Sequence, residues 1–107
     1  MKTPNAVRAL AALAQESRLA AFRLLVRRGP EGLYPAELAA RLKVAPPTLS
    51  FHLKELAIAG LVRAQPEGRR IRYCADFKAV NDLLGFLSEN CCEGQACEVR
   101  SAETAEA

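Results

Sequence analysis

No apolar run in the 107-residue sequence approaches the roughly 20 residues that a membrane-spanning helix requires. Residues 1–5 also lack the basic stretch, apolar block and cleavage site of a secretion signal. The mean hydropathy of −0.01 is that of a globular protein, and the length allows one compact domain. We therefore expect a cytoplasmic protein with no membrane partner.

Catalytic signatures are also missing. The single histidine, His52, is a poor basis for a metal site or a catalytic centre. Paired acid and base residues and a glycine-rich nucleotide loop do not occur, and the cysteines form neither a phosphate-cradling loop nor a Cys-x-x-Cys motif. We predict that the chain is not an enzyme and has no small-molecule substrate.

Charge is divided unevenly along the chain. Residues 1–90 hold fourteen Lys and Arg against eight Asp and Glu, a net charge of +6, whereas residues 91–107 have a net charge of −3. A basic body with an acidic tail suits a polyanion-binding protein, although many enzymes show a similar excess. We divide the chain into a domain at 1–92 and a flexible acidic tail at 93–107.

Apolar periodicity predicts two helices in the first thirty residues. The first begins at Thr3-Pro4, with Thr3 as the N-cap, and places Val7 and Leu10 on its apolar stripe. The second begins near Glu16 and ends at Gly29-Pro30, after two arginines that complement the helix dipole.

A helix-turn-helix and a wing are predicted next. A short helix from Pro35, a turn at 43–45 and a helix that starts at Pro46-Pro47 and stops at Gly60 form the helix-turn-helix. Two β-prone runs flank a turn at 66–69, which predicts a hairpin. A last helix at about 76–90 completes a mainly α winged helix-turn-helix fold in the order α1-α2-α3-α4-β1-β2-α5.

The helix after the turn is the predicted recognition helix. With Leu49, Leu53 and Leu56 inward, its opposite face presents short hydroxyls, a phenylalanine and a lysine to DNA. His52 lies beside the inward stripe, so it is either packed or in contact with a phosphate. The residues that we predict to bind DNA are Pro47, Thr48, Ser50, Phe51, His52 and Lys54, with Arg69, Arg70 and Arg72 on the wing.

Two protomers would place their recognition helices in successive major grooves, so the expected partner is an inverted-repeat operator in double-stranded DNA. The alternative is a pure dimerisation module with solvated surface charges. Such a module would not need an arginine-bearing wing.

The four cysteines are Cys74, Cys91, Cys92 and Cys97. Disulfides are rare in a reducing cytosol, and adjacent cysteines rarely form a relaxed disulfide. Because three of the four lie within seven residues, we interpret residues 91–97 as a site for a soft ion or a redox reagent.

Several stretches resemble the ArsR family of metalloregulators over residues 7–90. They are LAQESRL (13–19), ELAARL (37–42), TLSFHLKEL (48–56) and AGLV (59–62), with Gly68, Arg69 and Tyr73 in the wing. The resemblance implies a homodimer built mainly from the first and last helices, and repression that an inducer relieves.

Two metal sites of that family are absent here. Residues 37–42 contain no cysteine, and residues 76–90 contain no histidine. What remains, NCCEGQAC at 90–97, resembles the C-terminal arsenic site of a separate branch. The resemblance therefore implies arsenic(III) as the inducer, bound by Cys91, Cys92 and Cys97.

Three thiolates fill the three-coordinate pyramid that trivalent arsenic favours, and soft thiolates select soft ions. Zinc would need a fourth ligand, from Cys74, Glu89 or Glu93. The same cysteines could instead sense antimonite, thiol oxidation or methylated trivalent arsenic, which bonds to only two thiols. Cys74 is interpreted as a strand residue with no role in sensing.

A mechanism follows from the periodicity of the last helix. Phe77, Val80, Leu84 and Leu87 form an apolar stripe on which Cys91 is the next position. We expect ion capture to re-angle this helix end at the dimer interface and so to separate the recognition helices from their operator.

Overall fold

The computed structural model describes residues 1–94, which form five α-helices and one antiparallel hairpin. The helices are α1 (Thr3–Leu13), α2 (Glu16–Arg28), α3 (Pro35–Leu42), α4 (Pro46–Ile58) and α5 (Phe77–Ser88). The strands are β1 (Val62–Glu67) and β2 (Arg70–Ala75), and 3-10 turns lie at Gly29–Glu31 and Cys91–Gly94. This order confirms the predicted winged helix-turn-helix fold.

The first helix differs from the prediction in its start and in its buried face. Lys2, not Thr3, is the N-cap residue of α1, and no side chain caps it. Ala6, Ala9 and Ala12 face the core, whereas Val7 and Leu10 are exposed. Small side chains let α1 approach α2 and α4 closely, so the larger residues of the stripe are left on the outside.

The core lies between α2, α3 and α4. Its largest fully buried side chains are leucines: Leu25, Leu33, Leu38, Leu49, Leu53, Leu56 and Leu61. The three inward leucines predicted for α4 are all among them. Fully burying one leucine contributes about 1.5–3 kcal/mol, so this set makes a large apolar contribution to folding.

The hairpin is longer than predicted and its turn is shorter. Strand pairing continues to Glu67 opposite Arg70, so the turn consists of Gly68 and Arg69 alone. Gly68 has a φ of +63°, a conformation that glycine adopts without steric cost. Pro66 is therefore part of β1 rather than of the turn, which is tolerated because each strand of a two-stranded sheet has an open edge.

A short bridge joins the wing to the linker between α2 and α3. Leu33 and Tyr73 exchange two backbone hydrogen bonds, of 2.8 and 2.9 Å. The backbone at Gly32 passes so close to β2 that a Cβ there would overlap the carbonyl oxygen of Tyr73, and its φ is +67°. The linker therefore fixes the base of the wing against the domain.

The last helix ends earlier than predicted, at Ser88. Asp76 caps its N-terminus by accepting a hydrogen bond from the Ala79 N–H at 3.1 Å. Beyond the helix, Glu89 is extended and Asn90 has a φ of +57°, a left-handed conformation that asparagine tolerates. The prediction that Cys91 continues the helical stripe is therefore wrong, because the chain changes direction before it.

The apolar stripe predicted for α5 is only partly buried in the single chain. Leu83 is buried, and Val80 and Phe86 pack against the core, but Leu84 and Leu87 are exposed. The apolar stripe of Leu84 and Leu87 therefore faces outward in a single chain.

Candidate nucleic-acid interface

The turn between α3 and α4 sets the direction of the recognition helix. Lys43 takes a left-handed conformation with φ +56° and ends α3, and the Val44 N–H donates to the Ala39 carbonyl at 3.1 Å. Ala45 is extended, and the prolines at 46 and 47 can occupy only the first turn of a helix. The sequence thus starts α4 abruptly and at a fixed angle to α3.

The outer face of α4 carries the predicted contact residues. Every one of them except His52 is exposed: Pro47, Thr48, Ser50, Phe51 and Lys54. Phe51 leaves 55% of its surface open. The face thus combines an apolar ring, two hydroxyls and one cation, the groups that can contact a thymine methyl, base edges and phosphates.

His52 points to the inner side of α4 and is 7% exposed. Its Nδ1 lies 3.4 Å from Nη1 of Arg18, and Arg18 also donates from Nε to the Ala12 carbonyl at 2.7 Å. Burial, and then the charge of Arg18, lower the pKa of His52. Of the two placements predicted for His52, the structure corresponds to the packed one.

The three wing arginines have different surroundings. Arg69 lies in the turn and is exposed. Arg72 donates from Nε to Glu67, from Nη1 to the Glu31 carbonyl and from Nη2 to Gln65, at 2.6–2.8 Å. Arg70 lies over the ring of Tyr34, with its Cζ 3.5 Å from the ring centroid. Arg69 and Arg70 are thus exposed on the wing, whereas hydrogen bonds hold Arg72 against the rest of the protein.

Glu67 is the acceptor at the centre of this wing network. Hydrogen bonds from the Tyr34 hydroxyl, at 2.6 Å, and from Arg72 lower the pKa of Glu67. The same hydrogen bond to Glu67 raises the pKa of Tyr34. At neutral pH the network therefore holds an ionised carboxylate and a protonated phenol.

Sequence analysis does not identify Tyr34 or Glu67 as residues of the candidate site. They are 33 residues apart, so no local periodicity relates them. Arg18 lies in LAQESRL (13–19), one of the stretches that resemble the family. Nothing in that stretch indicates a contact with His52.

The predicted thiol ligands are described only in part. Cys91 is half-buried and Cys92 is exposed, both in the 3-10 turn after α5, and Cys92 has a φ of +55°. Cys97 lies outside the described residues. Within residues 1–94 no group of three or more potential ligands comes together. Cys74 is a buried thiol in β2.

No helix within residues 1–94 has the length and apolar character that crossing a bilayer requires.

A family model described as a helix-turn-helix domain matches residues 13–65, from the end of α1 into β1. A search of curated proteins found no match. An ArsR-like transcriptional regulator from Rhodococcus sp. RHA1 has a similar structure, with a TM-score of 0.73 and 30% identity, covering 84% of this chain and 82% of that chain.

Two further solved structures are similar. Reduced HlyU from Vibrio cholerae is 34% identical, with a TM-score of 0.59, and the match covers 79% of this chain and 90% of that chain. A homodimeric winged helix-turn-helix DNA-binding domain from Mycobacterium bovis shares the fold, with a TM-score of 0.64 and 24% identity over 90% of this chain and 89% of that chain. The chain therefore belongs to the ArsR-like family of winged helix-turn-helix transcriptional regulators, which are DNA-binding proteins rather than enzymes.

Proposed function

We propose that this regulator is an arsenic(III)-responsive repressor, which binds an inverted-repeat operator in the cytoplasm and dissociates when cysteine thiolates capture the ion. The observation that carries the proposal is the pair of adjacent thiols at Cys91 and Cys92, directly after α5, with a third thiol five residues later in the sequence. On this fold, α3 offers no cysteine and α5 no histidine as a competing site.

The DNA-binding part of the proposal rests on α4 and the wing. The exposed face of α4 would enter the major groove, where Thr48, Ser50 and Phe51 contact base edges and Lys54 contacts a phosphate. The hairpin extends beside it and would bring arginines to the neighbouring backbone or minor groove.

Dimerisation is supported by the apolar side chains that a single chain leaves uncovered. Val7 and Leu10 on α1 and Leu84 and Leu87 on α5 are each more than two-fifths exposed. The two helices that carry these side chains contact each other. A homodimer through α1 and α5, as the resemblance implies, would cover them, and the Mycobacterium bovis domain of the same fold is described as homodimeric.

The inducer part of the proposal rests on thiol chemistry. Three thiolates match a soft ion that favours three ligands, and zinc would need a fourth. Since α5 ends at Ser88, capture cannot act by extending a helical stripe. It would instead reorganise the turn at 89–93, which follows the exposed Leu84 and Leu87 and so borders the proposed dimer interface.

Thiol oxidation is the second candidate, and one observation favours it. One of the similar solved structures is described as reduced HlyU. An oxidation response would need Cys97 as the partner, because adjacent cysteines rarely form a relaxed disulfide.

The test measures operator binding by fluorescence anisotropy while arsenite is titrated into reduced protein. The operator is a duplex that the protein itself selects from random-sequence DNA. Arsenite should weaken binding by at least about fivefold, the lower end of ordinary allosteric coupling. Cys91→Ser, Cys92→Ser and Cys97→Ser should each remove the response without loss of DNA binding.

Cys74→Ser is the matched control, because it removes a thiol that lies in β2 and should leave the response intact. Zinc, antimonite, methylarsenite and peroxide are titrated in parallel. If arsenite leaves the affinity unchanged while zinc or peroxide lowers it, arsenic sensing is excluded and the true inducer is identified.

A further inference from the structure

The ring of Tyr34, in the linker between α2 and α3, packs against the guanidinium of Arg70, the first residue of β2. The Tyr34 hydroxyl donates to Oε1 of Glu67 at 2.6 Å, and Glu67 pairs with Arg70 across the hairpin. The hydrogen bond thus holds the hydroxyl end of the ring, and one face of the ring packs against Arg70. The electrons of an aromatic face attract a guanidinium, so this contact favours one position of the Arg70 side chain.

Arg70 forms no ion pair within residues 1–94. There the ion pair of the wing joins Arg72 to Glu67, although the charge of Arg70 also helps to lower the pKa of Glu67. Both Glu67 oxygens are engaged, one by Tyr34 and the other by Arg72. Because guanidinium N–H groups lie in the plane of the group, an aromatic face leaves them open to an acceptor.

Arg72 is in the opposite situation. Each of its three guanidinium nitrogens donates a hydrogen bond within the protein, to Glu67, Gln65 and the Glu31 carbonyl. A phosphate contact from Arg72 would require breaking at least one of these bonds. Its position braces the wing against the linker.

We propose that Tyr34 is a positioning residue, which holds Arg70 in place for a DNA phosphate, and that Arg72 is a brace of the wing rather than a DNA contact. The proposal rests on the DNA-binding role of the wing proposed above. Holding a long side chain in its binding conformation lowers the entropy lost when DNA binds. Tyr34 thus acts on DNA affinity without touching DNA.

The test compares the salt dependence of DNA binding among four single variants of the full chain and two double variants. On the self-selected duplex, the slope of log affinity against log salt counts phosphate contacts, at about 0.9 per contact. Arg70→Ala should reduce the slope by about two for a dimer, one contact per protomer. Tyr34→Leu should reduce it toward the same value and weaken binding by about two- to fivefold per protomer.

Tyr34→Phe keeps the aromatic face and should keep the slope of the native protein, although it loses the hydrogen bond to Glu67. Arg69→Ala is the matched control, because Arg69 is the adjacent exposed arginine and has no contact with Tyr34. Its effect should be the same with and without Tyr34→Leu, whereas Tyr34→Leu should have no further effect in an Arg70→Ala background. Thermal melting of each variant identifies any loss of folded protein.

Two outcomes overturn the proposal: a slope that Arg70→Ala leaves unchanged, or an effect of Tyr34→Leu that persists in the Arg70→Ala background. If the native protein selects no duplex, the DNA-binding role fails and this proposal fails with it. If the native protein binds and Lys54→Ala weakens binding while the Tyr34 variants do not, only the role of Tyr34 is wrong.

Discussion

Arg18 holds His52 from behind the recognition helix, with its Nη1 3.4 Å from the imidazole Nδ1. The same guanidinium donates from Nε to the carbonyl of Ala12, at 2.7 Å, so one side chain connects α1, α2 and α4. A guanidinium can only donate hydrogen bonds. The imidazole must therefore be neutral and accept at Nδ1 for this contact to form.

This contact predicts a loss of stability on acidification. Burial and Arg18 lower the pKa of His52 below 6.5, so the unfolded chain takes up a proton at a higher pH than the folded one. The contribution of His52 to the free energy of unfolding is complete above about pH 6.5 and is lost as the pH falls through the folded-state pKa. Urea denaturation at pH 7.5, 6.5 and 5.5 measures it.

His52→Asn provides the control, because its amide oxygen can accept from Arg18 but does not titrate. Since His52 is the only histidine, the variant should show a flatter pH profile in this range. An equal slope in both proteins would show that another group is responsible.

Gly32→Ala should destabilise the domain by about 2–5 kcal/mol, because it combines a positive φ with an overlap on β2. Gly60→Ala is the comparison. Its φ is +82°, but a Cβ there meets nothing within 4 Å, so only the conformational cost of about 1–2 kcal/mol remains. Urea midpoints of both variants give the difference, and equal losses would argue against a close approach of the linker to the wing.

Leu87→Glu should dissociate the proposed dimer. Leu87 is 57% exposed in the single chain, so a symmetric dimer can bury only that part of each copy, and the change removes about 2–3 kcal/mol of apolar burial over the two copies. The dissociation constant, measured by sedimentation equilibrium, should rise by at least about thirtyfold. Ile71→Glu replaces an exposed apolar residue on the wing and should leave the constant unchanged.

Lys54→Ala should weaken operator binding and reduce the salt slope by about two per dimer, one phosphate contact for each protomer. Lys78→Ala is the matched control. Lys78 is equally an exposed lysine on a helix, but it pairs with Asp82 at 3.0 Å on α5. If both variants lower the slope equally, the lysines act only through net charge and α4 is not placed on the DNA.

Alkylation with iodoacetamide should distinguish the thiols. Cys92 is exposed and should react quickly in the folded protein, whereas Cys74 is buried and should react only on unfolding. Bound arsenite should protect Cys92, since its thiolate would be a ligand. Mass spectrometry of the labelled peptides measures the rates, and an unprotected Cys92 at saturating arsenite would exclude it as a ligand.

Much of the domain could be predicted from the sequence because its signals are local. Proline pairs can start a helix only in its first turn, and the leucines of α4 recur at helical spacing, so the helix-turn-helix was placed correctly. The glycine at position 68 also indicated where the hairpin turn lies. The order of elements and the regulator family were confirmed for the same reason.

The errors concern faces and ends rather than elements. Periodicity identifies an apolar stripe but not what covers it, so Val7 and Leu84 lie on the predicted stripes and yet are exposed in the single chain. The last helix ends at Ser88, before Cys91, because Glu89 is extended and Asn90 is left-handed. The contacts of Arg72 and Tyr34 involve residues distant in sequence, and a pattern of neighbouring residues cannot predict such contacts.

Among the described residues, Phe86 is the last one along the chain that packs against the apolar core. We therefore expect the DNA-binding domain to fold whether or not Cys91 and Cys92 bind an ion. A lineage could exchange or delete the segment after the left-handed turn and keep a domain that still folds. If the proposed function is right, a regulator shortened in this way would stay on its operator whether or not the inducer is present.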